Sequence, residues 1–332
     1  MRLLIVSDAW YPQVNGVVRT LDTVAGLLRA MGNAVELFGP DRFRSIPCPT
    51  YPEIRLAVDA RWRLPGMVDA FAPDAIHIAT EGPLGIAMRR YCLRRRLRFT
   101  TSFHTRFPEY VHARIGLPVG IAYAWLRRFH GAAAATMVAT PSLQADLESR
   151  GFKRIVRWSR GVDTDQFRPC AAPKTNGNGP NWLYVGRVAV EKNIQAFLDL
   201  ELPGTKHVVG AGPMLETLRR RYPEVKFAGA QHGEALARHY AAADVFVFPS
   251  RTDTFGLVLL EALASGLPVA AYPVTGPLDV IGGAGVGALD EDLGRAARLA
   301  LEVPGARCRD FAVNHDWRHS ARQFFDNLVP VR

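Results

Sequence analysis

The sequence predicts an α/β protein of two Rossmann-like units, each a parallel sheet flanked by helices. Three observations carry that prediction. Apolar strand-like runs alternate with helical patterns along the whole chain, the signature of parallel sheets. A Gly/Asn/Pro-rich segment at 175–181 is followed by a fresh apolar run, Trp182-Leu183-Tyr184-Val185, which restarts the alternation. At 332 residues the chain is also too long for one small domain and suits two of common size.

In order, the strands of the first half read near 2–7, 34–38, 75–79, 98–103 and 136–140, with helices near 17–31, 83–96, 107–129 and 142–150. The opening run, Arg2-Leu3-Leu4-Ile5-Val6, is apolar for only a few residues before Ser7-Asp8, which makes it a first strand and not a signal peptide. After 182–185 the strands of the second half continue near 205–209, 225–228, 244–248 and 268–272. Trp317, Phe324, Phe325 and Leu328 fall at helical spacing and predict a closing helix that packs back on the first unit. The expected division is 1–165, 166–313 and a terminal helix over 314–332.

Composition is globular, 48% hydrophobic and 22% charged. Cys48, Cys92, Cys170 and Cys308 show no CxxC or metal spacing and read as reduced thiols of a cytosolic protein. The longest apolar run, 115–126, is far short of the roughly 20 residues that span a bilayer. The formal charge of +10 is uneven: 23 Lys/Arg face 14 Asp/Glu over 1–165, and 18 face 17 over 166–332. Nearly all the excess lies in the first half, which points to an anionic surface as its partner.

The most informative stretch is FPSRTDTFGLVLLEALASGLPV, at 248–269. A buried strand runs into a polar loop and then an amphipathic helix that starts near Phe255 and ends at Ser265-Gly266. Asp253 sits at the mouth of that helix and Glu261 lies eight residues on. Carboxylates suit sugar hydroxyls, a helix N-terminus suits phosphate, and the carboxyl end of a parallel strand is where such sheets bind ligands. The bland alternative is a capping Asp and a solvated Glu.

Other junctions repeat the theme. Asn15-Gly16 opens a helix after the first strand, where glycine permits close backbone approach to a ligand or simply makes a turn. LYVGRVAVEKNI places Gly186 at a turn and Arg187 and Lys192 beyond a strand end, two cations suited to a diphosphate or a solvated basic turn. VVGAGPM, at 208–214, has Leu215 where a dinucleotide fingerprint needs its third glycine, so an NAD site is rejected, although its backbone still suits lining a nucleotide site. GGAGVG, at 282–287, reads as a loop. FTTSFHTRFPEY, at 99–110, offers His104, Arg106 and Glu109 after a strand, against the ordinary reading of a structural histidine. RGVDTDQF, at 160–167, reads as a Gly turn at a hinge between the units.

The ordered series PQVNGVVRTL, TSFHTRFPEY, ATPS, RGVDTDQFRP, VGRVAVEKN, VGAGPM and DVFVFPSRTDTFGLVLLEALASGLPV resembles the retaining glycosyltransferases of family 4 over nearly the whole chain. The branch it resembles holds GDP-mannose-dependent α-mannosyltransferases and sulfoquinovosyl- and glucosyl-diacylglycerol synthases. The resemblance implies the GT-B fold, two Rossmann-like domains facing across a cleft. The family's paired glutamates become Asp253 and Glu261 here, with the spacing kept and the first acid one methylene shorter.

The resemblance further implies that Glu261 holds the ribose, while Asp253 and the Thr254-Phe255-Gly256-Leu257 backbone hold sugar and phosphate. Arg187 and Lys192 would neutralise the diphosphate, Gly186 shaping their turn, with Gly16 close to it and His104 at the sugar. No cofactor and no metal are expected, the two cations standing in a metal's place. The donor is a UDP- or GDP-sugar.

The acceptor is expected on the basic first half. RRYCLRRRLR at 89–98 and RIGLPVGIAYAWLRRFH at 114–130 set arginines beside apolar residues, which suits a lipid acceptor at an anionic membrane. The expected place is therefore cytoplasmic, peripheral at the inner face of the cell membrane. A solvated basic face over a core helix is the plain alternative. A transferase acting on an oligosaccharide or small metabolite, a GT-B epimerase or phosphorylase, and a nucleic-acid-binding protein are rival classes. The last lacks any recognised nucleic-acid module.

Overall fold

A computed structural model describes all residues except 13–14, 49–50, 105–107, 109–117, 171–178 and 254. The chain divides into two compact units. Unit 1 is Met1–Arg160 with Trp317–Arg332, and unit 2 is Gly161–Asp316. The chain thus crosses between units after Arg160 and Asp316, against the expected 165 and 313.

Unit 1 runs β1 (Arg2–Val6), α1 (Gly16–Ala30), β2 (Ala34–Phe38), β3 (Ser45–Cys48), β4 (Tyr51–Ala57), α2 (Ala60–Phe71), β5 (Ala75–Ile78), α3 (Pro83–Arg95), β6 (Thr100–Phe103), α4 (Val119–His130), β7 (Ala135–Val138), α5 (Pro141–Ser149) and β8 (Ile155–Arg157). Its main sheet is parallel in the order β2-β1-β5-β6-β7-β8, with β3 and β4 a separate antiparallel pair. Strand β1 is apolar throughout because both faces are covered: Leu3 and Ile5 join one core cluster, Leu4 and Val6 the other.

Unit 2 runs β9 (Asn181–Val185), α6 (Ile194–Leu198), β10 (Thr205–Val209), α7 (Leu215–Arg221), β11 (Lys226–Gly229), α8 (Gly233–Ala241), β12 (Val245–Phe248), α9 (Leu257–Ala264), β13 (Val269–Ala271), α10 (Thr275–Ile281), β14 (Gly287–Leu289), α11 (Leu293–Ala300) and α12 (Gly305–Val313). Its sheet is parallel in the order β11-β10-β9-β12-β13-β14. Trp182 and Tyr184 pack on one face of β9, Leu183 and Val185 on the other.

Each sheet reverses its strand order once, between β1 and β5 in unit 1 and between β9 and β12 in unit 2. Those points, at the carboxyl ends of the strands, are where doubly wound sheets place ligands.

The terminal helix α13 (Trp317–Asp326) completes unit 1 by packing on α1, with Ala321 and Phe324 in the core. It also pins the strand end after β8. Trp158 Nε1 donates to Ser320 Oγ at 3.2 Å, Gln323 Oε1 accepts from the Ser159 amide at 2.6 Å, and Asn327 Nδ2 donates to Arg157 O at 2.7 Å.

Several elements depart from the expected list. The β3–β4 pair and α2 fill 45–71, where no element was expected, and β8 and β14 add short edge strands. The 282–287 segment is not wholly a loop, since Gly287 begins β14. The helix expected over 107–129 is described only as α4, from Val119.

Candidate functional site

The reversal point of unit 2 gathers most of the expected residues. After β9, Gly186 turns the chain, and its amide donates to Val209 O at 3.0 Å while the Val188 amide donates to Ala211 O at 3.0 Å. This close backbone approach is why Gly210 and Gly212 are glycines. A Cβ at Gly210 would lie 1.8 Å from Gly186 O, and one at Gly212 2.3 Å from Val188 O. VGAGPM therefore supports the 186–188 turn. Tyr184 Oη donates to Arg187 O at 2.8 Å and holds that turn from beneath. Burial, helped by the negative charges of Asp253 and Glu191, pushes the Tyr184 phenol up, so it remains a donor.

Lys192 ends a short 3₁₀ turn, Val190–Lys192, one residue before the cap of α6. Asn193, in the left-handed region at φ 51°, turns the chain into α6 and donates through Nδ2 to Pro249 O at 3.1 Å. The turn is thereby tied to the loop after β12. Across that junction Lys192 Nζ reaches Asp253 Oδ1 at 2.5 Å, with 25% and 19% of the two side chains exposed. Arg187 is half-buried beside it in sequence.

Two polar atoms of the same loop, Asp253 Oδ2 and Ser250 Oγ, are enclosed without a hydrogen-bond partner. An enclosed carboxylate oxygen is costly unless paired. Lys192 on the sister oxygen offsets part of that cost.

Phe255 is half-buried against the core of unit 2. Gly256 precedes α9 in the left-handed region at φ 82°, where a Cβ would press on Phe248 and Leu259 at 3.2–3.3 Å. The helix itself starts at Leu257, two residues later than expected. Thr254 lies outside the described residues. Glu261 is not a solvated surface acid: it is 3% exposed. Tyr240 Oη on α8 donates to Glu261 Oε2 at 2.9 Å. Tyr240 is itself fully buried, edge-on to Phe167 with centroids 5.6 Å apart.

Gly16 and His104 belong to unit 1. Gly16 is the first residue of α1, and Asn15 caps the helix, its Oδ1 accepting from the amides of Val17 (2.9 Å) and Val18 (3.0 Å). Those two amides are therefore occupied within the chain, and Gly16 at the head of the helix is exposed.

His104 follows β6 with both ring nitrogens engaged. Arg160 Nη2 donates to Nδ1 at 3.2 Å, which makes Nε2 the protonated nitrogen, and Nε2 donates to Ser102 Oγ at 2.8 Å. The chain continues inward: Ser102 Oγ meets His77 Nε2 at 3.0 Å, and His77 Nδ1 meets Thr100 Oγ1 at 2.9 Å. Burial, reinforced by the Arg160 charge, holds His104 well below the usual histidine range and His77 down at about 3. Both rings are neutral near pH 7, so His104 is a fixed neutral group and not a proton acceptor. Arg106 and Glu109 lie outside the described residues.

Two family models match the sequence: "Glycosyltransferase Family 4" over 14–166 and "Glycosyl transferases group 1" over 179–302. A GDP-mannose-dependent alpha-mannosyltransferase of Mycobacterium tuberculosis is 31% identical over 85% of this chain and 81% of its own. The chain is a family 4 glycosyltransferase. The transferase is also 30% identical to the sulfoquinovosyl transferase of Arabidopsis thaliana, over 84% of the present chain and 60% of the plant protein. Among solved structures, sucrose-phosphate synthase from Thermosynechococcus elongatus superposes with a TM-score of 0.78 at 20% identity, covering 98% of both chains. That likeness shows the GT-B fold.

Within the transferase, sequence reasoning missed the Lys192–Asp253 pair, the Tyr240 support of Glu261 and the engagement of Arg160 with His104. The first two join residues 61 and 21 apart in the chain, and the third residues 56 apart. The one signal for the third was an arginine in the glycine turn of RGVDTDQF.

Proposed function

We propose that the transferase moves a hexosyl group, with retention, from a nucleoside-diphosphate sugar to a lipid acceptor at a membrane surface. The observation that carries this reading is the Lys192–Asp253 pair at the carboxyl ends of β9 and β12, with Arg187 in the same turn. Departure of a nucleoside diphosphate builds negative charge on phosphate oxygens while the sugar becomes oxocarbenium-like. Fixed cations beside that charge lower the barrier without reorganising.

Arg187 and Lys192 take that role. Asp253 orients the Lys192 ammonium, and its enclosed Oδ2 suits a sugar hydroxyl. The backbone from Phe255 to Leu257, with Gly256 at the head of α9, borders the phosphates, and Gly186 sets the turn that presents Arg187. Glu261, steadied by Tyr240, receives the ribose. For Gly16 and the neutral His104, both in unit 1, a role toward diphosphate and sugar rests on the family resemblance alone. Attack by the acceptor on the face the diphosphate leaves, with a donor phosphate oxygen taking the acceptor proton, needs no enzymic nucleophile and no metal.

A nucleotide-sugar donor is supported by the name of the mycobacterial relative, which depends on GDP-mannose, and sugar transfer by that of the plant relative, a sulfoquinovosyl transferase. A lipid acceptor is supported by one face of α4. Ile121 and Trp125, one turn apart, are 59% and 43% exposed, with Arg128 exposed one turn further on. Arg89, in the middle of α3, donates to the carbonyls of Arg128 and Phe129, so α3 packs beside the carboxyl end of α4. Aromatic and basic residues on one face suit the cytoplasmic side of a cell membrane. Among the described residues no helix is long and apolar enough to cross a membrane.

A panel of UDP- and GDP-sugars, incubated with the protein and membrane lipid extract and analysed by mass spectrometry, tests the reading. A new glycolipid with one donor is expected. Donor consumption with only water-soluble products overturns the lipid acceptor.

A further inference from the structure

Arg160, where the chain first leaves unit 1, carries a charge that its surroundings among the described residues do not balance. It is 5% exposed. Its Nη1 donates to Trp158 O at 2.8 Å and Ser159 O at 3.3 Å, and its Nη2 to His104 Nδ1 at 3.2 Å. The guanidinium lies 4.1 Å from the centre of the Trp158 ring. Every one of these partners is neutral, His104 included, and no carboxylate of the described residues lies within ion-pair distance. Arg157 adds a like charge nearby, and burial with that repulsion brings the Arg160 guanidinium down to about 9.

A guanidinium has five N–H donors in a planar fork. Two hydrogens on Nη1 and one on Nη2 are engaged, which leaves Nε–H and the second Nη2–H. Among the described residues neither of these two N–H groups finds an acceptor, and the residue stays 5% exposed. Desolvating a charge with neutral partners alone is unfavourable. The same arrangement, rigid and stacked on Trp158, is preorganised for an oxyanion.

We propose that Arg160 is a subsite for an oxyanion, a carboxylate or phosphate oxygen, carried by the headgroup of the acceptor. The site lies within unit 1, one hydrogen bond from His104, and rests on the reading of the protein as a transferase to a lipid. An acceptor with a neutral headgroup would leave the charge unbalanced; an anionic one would gain charge-assisted bonds. Such bonds correspond to roughly a 10- to 100-fold preference.

The test uses the full chain, Arg160→Met and Arg160→Lys, each with its nucleotide site saturated by nucleoside diphosphate. Inorganic phosphate or acetate is expected to raise the melting temperature of the wild type, less that of Arg160→Lys and least that of Arg160→Met. A response to phosphate alone assigns a phosphate headgroup, and to acetate alone a carboxylate. Equal shifts in all three proteins overturn the subsite.

In turnover, Arg160→Met should lower kcat/KM by roughly 10- to 100-fold on a lipid with an anionic headgroup and about threefold or less on a neutral one. Equal losses on both lipids overturn the subsite and leave Arg160 a support for His104. If the wild type glycosylates neither lipid, the acceptor reading fails while the melting series still decides the oxyanion site.

Discussion

At the carboxyl edge of the unit 1 sheet, His104 heads a chain of neutral side chains that runs back into β6 and β5: His104 to Ser102, Ser102 to His77, His77 to Thr100. At the same edge of unit 2 they are charged, Lys192 against Asp253 with Arg187 beside them. Both edges are built from the same parallel architecture, so the difference lies in the residues that follow each strand. A neutral, fully engaged network fixes shape. A charged, partly enclosed pair stores electrostatic potential for a reaction that separates charge. On the proposed reading, the two edges divide positioning from catalysis.

The largest expected effect tests the charged edge. Lys192→Ala and Arg187→Ala should each lower turnover by about 10²- to 10³-fold, as loss of one preorganised donor does elsewhere, with unfolding transitions unchanged. Near-normal turnover in both folded variants would end the assignment. Asp253→Ala should likewise slow transfer more than it weakens nucleotide binding.

The second tests the neutral edge by pH. His77 has its pKa lowered to about 3 in the folded chain from 6.5 unfolded, and His104 is lowered as well. The unfolded chain then binds protons that the folded one refuses. Their stabilising contribution is fully present above about pH 6.5 and is lost as pH falls towards 3. Each histidine should cost about 1.4 kcal/mol per pH unit in that window. Denaturant titrations between pH 7 and 4.5 measure the slope. His77→Gln should flatten it, and an unchanged slope would mean that these rings are not held neutral.

The third effect links a buried tyrosine to the donor. Tyr240→Phe removes the bond to Glu261 Oε2, and nucleoside diphosphate affinity should fall about 10-fold, as for a bond to a charged group. With a 2′,3′-dideoxy nucleotide the two proteins should bind alike. A penalty that persists there would mean that Tyr240 acts on the fold and not on ribose recognition.

The smallest effect concerns the basic face of unit 1. Arg95 is already paired with Asp69 at 3.0 Å, so it should contribute less than Arg94 or Arg96 to docking on anionic vesicles. Replacing Arg94 and Arg96 by Ser should weaken flotation with such vesicles by about 1 kcal/mol per residue, and Arg95→Ser by less. A wild type that ignores anionic vesicles at low salt would remove the support for a membrane acceptor.

Much of the architecture was legible because buried parallel strands write themselves as apolar runs: 2–6, 75–78, 182–185 and 245–248 each stand out. What escaped lacks that signal. Strand β3 contains Pro47, α2 contains Pro65, and β8 is three residues set among arginines and a lysine. The aromatic and apolar spacing of 317–328 did announce α13. At the site, chain position showed that Arg187, Lys192, Asp253 and Glu261 follow strands. Spacing cannot show which side chains meet across a sheet, so the Lys192–Asp253 and Tyr240–Glu261 pairs had to come from the fold.

The terminal helix has a consequence for how the chain is made. Phe324 and Ala321 close the core on α1, the Ala75–Pro330 bridge ties the last residues to β5, and the Arg98 amide donates to Val331 O. All of unit 2 leaves the ribosome before these residues do. Unit 2 can therefore fold while unit 1, begun first, still lacks part of its interior, reversing the usual N-terminal-first order. Nascent chains arrested before Trp317 should resist protease over 179–316 and yield over 1–160.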